Sequence, residues 1–322
     1  MQEQEIITTT PHKRIDTFLC SFLHLPKNQI LQLIKNSLVL LNGSPCAKGG
    51  KELKIGDRIN VLAPTSRPKI LESKTSLEID TIYEDDHLLI LNKPSDLVIH
   101  PAPSQKAETL LDWLKAKGYT LSTISGEERC GIVHRLDKDT TGAIAIAKNN
   151  LAHNSLANQL QTRTMGRYYL AIIDQPIKEA LSIHCHMGRN PKNRLKMCKL
   201  DPLVFPQARE SKSLFLPLFL SHNHSYQLVA IKLFTGRTHQ IRVHLESISR
   251  HILGDGLYGY RGNFSKRIML HAFLLYLIHP STQKNMLFRA PVFQDMLEFL
   301  EKNFDKEQVY GFLQNPEILL TL

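Results

Sequence analysis

Apolar positions follow two different regimes along the chain. Between residues 13 and 62 they recur first with helical and then with strand spacing. Ile15, Phe18, Leu19 and Phe22 lie at i, i+3, i+4 and i+7, which places them on one face of a helix. Pro26 suits a first helical position, and Ile30, Leu33 and Ile34 after it begin a second helix. Strand-like Val39-Leu40-Leu41, an Asn42-Gly43 turn and the segment 53–62, interrupted at Gly56-Asp57, come next. The pattern predicts a small ααβ-type module. Residues 63–77, APTSRPKILESKTSL, are rich in Pro, Ser, Thr and Lys and read as a linker. From residue 78 the pattern becomes short strands separated by turns, with helices expected over 107–117, 151–161 and 238–249. The fold class is therefore α+β, with a second domain over 78–303 built on a mainly antiparallel mixed sheet flanked by helices. Residues 304–322 are left as a C-terminal tail to which no function is assigned.

Charge narrows the picture. Lys and Arg number 40 against 30 Asp and Glu, a net charge of +10 that suits a polyanionic partner. The excess is concentrated in the first module, where Lys13, Arg14, Lys27, Lys35, Lys48, Lys51, Lys54 and Arg58 face Asp16, Glu52 and Asp57. RNA binding is the expectation there; the competing reading is that these cations only keep the module soluble. The 5 cysteines are scattered, with no C-x-x-C pair, as expected of reduced thiols in a cytoplasmic protein. The polar start MQEQEIITTT has no apolar signal region, and no apolar run reaches the roughly 18 residues of a membrane span. Export and membrane insertion are not expected.

Chemistry concentrates in HRLDKDTTG, residues 134–142. Loops are polar, and this one could be no more than a solvated turn. Its flanks, Gly131-Ile132-Val133 and the alternating Ala143-Ile144-Ala145-Ile146-Ala147, read as core strands that would hold its side chains at fixed positions. Other chemistries drop out. His184-x-His186 and His222-x-His224 lack zinc-site spacing, so no metal is expected. Neither a phosphate-binding glycine loop nor a G-x-S-x-G elbow is present. What remains beside Asp137 is LFTGRTHQIRVHL, a strand turning at Thr235-Gly236 into a helix that carries His239 and Arg242 on one face, and RYYLAII, a strand opening with a cation and two tyrosines. A carboxylate, an arginine and a phenol suit a flat, anionic, hydrogen-bonding substrate.

RIDTFL, LIKNSLVLLNG and LKIGDRINVL resemble an S4 RNA-binding domain, although Lys27-Asn28 stands where that family has Ser-Arg. The resemblance implies RNA contacts at Arg14, Lys27 and Lys35. NKPSDLVIHP, GIVHRLDKDTTGAIAIAKN, RYYLA, TGRTHQIRVHL, LGDGLYG and LHA occur in the order seen in RluA-type pseudouridine synthases, RluC- and RluD-like members of which also carry an S4 domain. Membership implies cofactor- and metal-free isomerisation of uridine in structured RNA, with Asp137 as the essential group. Asp139, two residues on, is the rival carboxylate and is read as structural. Arg242 is the expected bidentate partner of Asp137, and Arg237 is left to the RNA. Tyr169 is expected to stack on the released uracil, while Tyr168 faces the core. Arg135 is expected either to fill the vacated stack or to contact a phosphate. His134, Thr140, His239 and Lys93 complete the expected substrate contacts.

Two departures from the family pattern stand out: Asp96 replaces a usual glycine, and PQARESKS replaces a substrate-facing strand motif. Residues 184–213 form a basic insertion suited to phosphates. The expected partner is 23S-type ribosomal RNA or its precursor, bound by a monomer. Transfer RNA as substrate, or a catalytically silent assembly factor on the same fold, are the alternatives.

Overall fold

The computed structural model describes residues 4–23, 27–62, 75, 77–100, 107–264 and 266–320. Pro26 and most of the 63–77 stretch lie outside them. The first unit contains β1 (Gln4–Ile7), α1 (Ile15–Leu23), α2 (Lys27–Lys35), β2 (Val39–Leu41), β3 (Ser44–Pro45) and β4 (Arg58–Val61), with sheet order β1-β4-β2-β3. It begins ahead of residue 13. β1 has a single buried apolar residue, Ile6, set opposite Ile59 of β4, too little periodicity to be seen in sequence. Ile15, Leu19, Ile30, Ile34, Val39 and Val61 close its core.

Phe22 does not join that core; it is 51% exposed. The buried stripe of α1 instead includes Asp16, whose carboxylate accepts from Arg14 Nε at 2.9 Å and Nη2 at 2.7 Å, with Lys27 Nζ 3.6 Å away. The hydrogen bonds from Arg14 hold Asp16 well below the usual carboxylate range against the opposing effect of burial. Arg14 and Lys27, expected to meet phosphates, are thus shared with a buried anion. Lys35 stays exposed at the end of α2.

The second sheet comprises β5 (Asp80–Glu84), β6 (Leu88–Lys93), β7 (Thr141–Ala147), β8 (Gly166–Asp174), β9 (Leu181–Arg189), β10 (Met197–Lys199), β11 (Arg209–Leu220), β12 (Tyr226–Leu233), β13 (Leu270–Ile278) and β14 (Asn285–Arg289). Their order is β10-β9-β11-β12-β8-β13-β7-β6-β5, with β14 on β13. The pairing of β7 with β13 is parallel and the other strand pairs are antiparallel, so the sheet is mixed and mainly antiparallel. Its helices are α3 (Leu110–Ala116), α4 (Asn150–Thr162), α5 (Gln240–Glu246), α6 (Gln294–Asn303) and α7 (Lys306–Gln314).

Strand periodicity sorts β7 between two cores. Ile144 and Ile146 enter the larger one, while Ala143, Ala145 and Ala147 face Ala152 and Leu156 of α4, small side chains that let the helix lie close. At the head of β7, Gly142 has φ +110°, and a Cβ there would lie 2.3 Å from the carbonyl oxygen of Ala272 on β13. Only glycine allows the parallel pair to close next to the charged loop.

Three further expectations change. The strand read at 131–133 is a single bridge, Ile132 to Ile146, because Gly131 turns the chain at φ +69°. The helix expected over 238–249 is shortened to α5, since His239 adopts a left-handed conformation at its N-cap. Residues after 303 are no loose tail, for Phe304, Val309, Phe312 and Leu319 enter the main core. The basic insertion is regular: it forms β9, β10 and the start of β11.

Candidate active site

The 134–140 loop is fastened from below. Lys93, fully buried at the end of β6, donates from Nζ to the carbonyls of Pro94 (2.7 Å), Leu97 (2.9 Å) and Lys138 (2.9 Å), tying two loops to one ammonium. Burial lowers its pKa to about 7, opposed by the negative charges of Asp139, Asp137 and Asp96. Asp96 takes the left-handed turn position at φ +62° and pairs with Lys138 at 2.7 Å. The turn that usually needs glycine therefore survives, with an ion pair to the charged loop added. At the loop's start, His134 Nε2 accepts the Ala145 amide at 2.9 Å. Burial, then the nearby Arg167, pushes that ring's pKa well down, so it is neutral and able to accept.

Asp137 projects from this loop into a cavity whose lining includes Arg135, Thr140, Tyr169, Arg237, His239 and Arg242. Its carboxylate keeps 16% side-chain exposure and lies 3.8 Å from Arg242 Nη1. Arg242 does not grip it bidentately. Its fork closes instead on Asp255, Nε to Oδ2 at 2.7 Å and Nη2 to Oδ1 at 2.8 Å, leaving the third nitrogen for Asp137. The guanidinium also lies 4.6 Å from the ring centroid of Tyr258, whose hydroxyl is 2.8 Å from His239 Nδ1. Burial works against the charge of Arg242, but its pair with Asp255 and the Asp137 charge more than offset this. Tyr169 is 4% exposed, and burial raises its phenol pKa. The arrangement presents one reachable carboxylate, a fixed cation beside it and a neutral phenol, with no group of three or more His, Cys, Asp or Glu among the described residues able to hold a metal.

A family model described as RNA pseudouridylate synthase matches residues 87–247, and one for the S4 domain matches 13–59. An RNA pseudouridine synthase of Helicobacter pylori strain J99 is 50% identical over 321 residues, covering 98% of each chain. The chain belongs to the RNA pseudouridine synthases. A Bacillus subtilis relative, the RNA pseudouridine synthase YlyB, is 37% identical over 294 residues, 90% of this chain and 93% of its own. The ribosomal large subunit pseudouridine synthase D of Neisseria meningitidis serogroup A is 34% identical over 300 residues, 89% of this chain and 78% of its own. In fold, the human RNA pseudouridylate synthase domain containing 1 matches with a TM-score of 0.57 at 22% identity, covering 76% of this chain and 98% of that one. The protein is an S4-bearing pseudouridine synthase and an isomerase acting on RNA.

Within this pseudouridine synthase several expected substrate contacts move. His134 and Lys93, expected to contact substrate, are buried, and their side chains are hydrogen-bonded to β7 and to the loop backbone. Thr140 is buried at the cavity edge, its amide turning onto the Asp137 carbonyl at 3.1 Å. His239 shares the cavity but precedes α5, so the expected i, i+3 helix face with Arg242 does not exist. Arg237 lines the same cavity and donates from Nε to the Glu210 carbonyl at 2.9 Å. Arg135 is exposed at the cavity mouth.

Asp255, Tyr258 and Gln240 were missed as individual site residues. Gln240 Oε1 accepts the Arg237 amide at 3.0 Å and its Nε2 donates to Lys212 O at 3.0 Å, knitting the GRTHQ turn to β11. LGDGLYG had the signal for Asp255: an acid between two glycines in an apolar setting. In the structure Gly254 has φ +82°, and a Cβ there would strike the Arg267 carbonyl at 2.0 Å, so the turn that aims Asp255 requires glycine.

Proposed function

We propose that this synthase isomerises uridine in large-subunit ribosomal RNA, in the cytoplasm, with Asp137 as the essential carboxylate. The carrying observation is the placement of Asp137, reachable in its cavity and 3.8 Å from an arginine already committed to Asp255. The name of the Neisseria relative supports the choice of RNA, and the basic S4 unit supports a large structured one.

In the reaction the C1′–N1 bond breaks, C1′–C5 forms, the C5 hydrogen leaves as a proton and N1 gains one. No electrons are exchanged with a cofactor. The uridine must first leave its stack, at a cost of a few kcal/mol. Arg135, exposed beside the loop, takes the vacated place with its planar guanidinium. Asp137 then acts at the sugar-base junction, with the Arg242 guanidinium 3.8 Å away directing its carboxylate. Tyr169 presents its ring to the uracil; with its pKa raised, the phenol stays protonated at neutral pH.

The deciding experiment is a map of pseudouridines across cellular RNA with and without this chain. Loss at defined large-subunit uridines is the expected result. Loss confined to transfer RNA would overturn the choice of substrate, and an unchanged map would overturn activity itself.

A further inference from the structure

A second cavity of about 870 Å³ adjoins the Asp137 site, sharing Arg135 and Arg167 with it. Its cations are Arg129, Arg135, Arg163, Arg167, Arg209 and Lys232, and among the described residues no carboxylate lines it. The positive field is felt by His100 at its edge, whose pKa is lowered by burial and then by Arg129 and Arg135. Two features point to an occupant. Arg167 is 8% exposed, its Nε has no hydrogen-bond partner, and the guanidinium meets only neutral groups, His134 at 3.5 Å from Nη1 and the Tyr169 hydroxyl, with no carboxylate paired to it among the described residues. A buried guanidinium without an anion is costly, and a phosphate would satisfy it. Phe234, partly exposed on the wall, has the ammonium groups of Lys212 and Lys232 at 5.0 and 5.8 Å from its ring. An aromatic face among backbone-seeking cations is the usual platform for an unpaired base.

We propose that this cavity is a subsite for the nucleotide next to the target uridine. The neighbouring base stacks on Phe234, and the phosphate joining it to the target is held by Arg167 with help from Arg163 and Arg209. The proposal rests on the pseudouridine synthase reading and extends it, because a base stacked on Phe234 cannot also be paired. Productive RNA is single-stranded on that side of the target.

The probe is the ribosomal hairpin carrying the mapped uridine, made intact and with an abasic site at the nucleotide on either side. KM and kcat are followed by proton release from C5 for the wild type, Phe234→Leu and Phe234→Trp. Removing one flanking base should raise KM about tenfold in the wild type and leave KM almost unchanged in Phe234→Leu, which already lacks the platform. Phe234→Trp should keep the sensitivity. Arg209→Gln should flatten the salt dependence of binding in the full chain. Equal KM for intact and abasic hairpins in an active wild type would overturn the subsite while leaving the function standing. A wild type that modifies no RNA would overturn both.

Discussion

At the scale of single residues, the site separates two kinds of charged group: those that reach the cavity and those that hold others in place. Asp137 belongs to the first kind. Asp137→Asn keeps the volume but removes the ionisable group, so turnover should fall by about a thousandfold or more with RNA affinity largely retained. Asp139→Asn should keep substantial activity, because its charge faces Lys93. Quantifying pseudouridine in single-turnover reactions on ribosomal RNA checks both, and equal losses would contradict the assignment. Arg242 serves Asp137 and Asp255 together, which makes Asp255 a positioning residue. Arg242→Lys loses the planar fork and should slow the chemical step about a hundredfold, whereas Arg237→Lys should act on affinity. Asp255→Asn should slow the same step. The double variant with Arg242→Lys should lose less than the two single losses combined, since both disrupt the same ion pair.

At the scale of elements, the end of β6 and the charged loop are a single mechanical unit joined through Lys93. An amine with a folded pKa of about 7 and an unfolded one near 10.5 binds fewer protons folded than unfolded between those values. Stability therefore rises with pH across that window as the buried charge is relieved, and is flat in this group below about pH 6. Lys93→Met should abolish that rise. Urea unfolding at pH 6.5 and 9.5 for both proteins measures it, and identical pH differences in the two would count against a buried, depressed ammonium. The neutral amine has two hydrogens for three carbonyls, so the loop should also exchange its amides faster at the higher pH.

At the scale of the whole molecule, the two units have separate apolar cores: no residue of the S4 core belongs to the core of the large sheet. The S4 unit brings charge, and among the described residues none of the groups lining the Asp137 cavity comes from it. Removing residues 1–62 should weaken binding to ribosomal RNA and reduce the slope of log affinity against log salt by about 0.7 to 0.9 for each phosphate that the S4 cations had neutralised. The single-turnover rate at saturating RNA should persist. Filter binding over a range of salt concentrations tests this, and an unchanged slope would show that Lys35 and its neighbours only keep the unit soluble.

Much of this was legible in sequence because it depends on short-range regularity. Period-2 alternation placed β7 and kept Tyr168 in the core, helical spacing placed Ile15, Leu19, Ile30 and Ile34, and the order of motifs pointed to an S4 unit ahead of a pseudouridine synthase fold. Periodicity could not reveal β1, whose single buried apolar residue needs β4 as a partner before it has any meaning. Nor could it show which cation meets which anion. Arg242 has two carboxylates in reach, and the choice of Asp255 for the fork follows from a glycine turn 13 residues further on that aims the acid at α5. His134 and Lys93 look like substrate contacts in a string of polar letters, yet strands distant in sequence bury them. Spacing along the chain sets which way a side chain leaves the backbone, while desolvation and ion pairing depend on what other segments bring to the same few ångströms. Those were decided only by the tertiary structure.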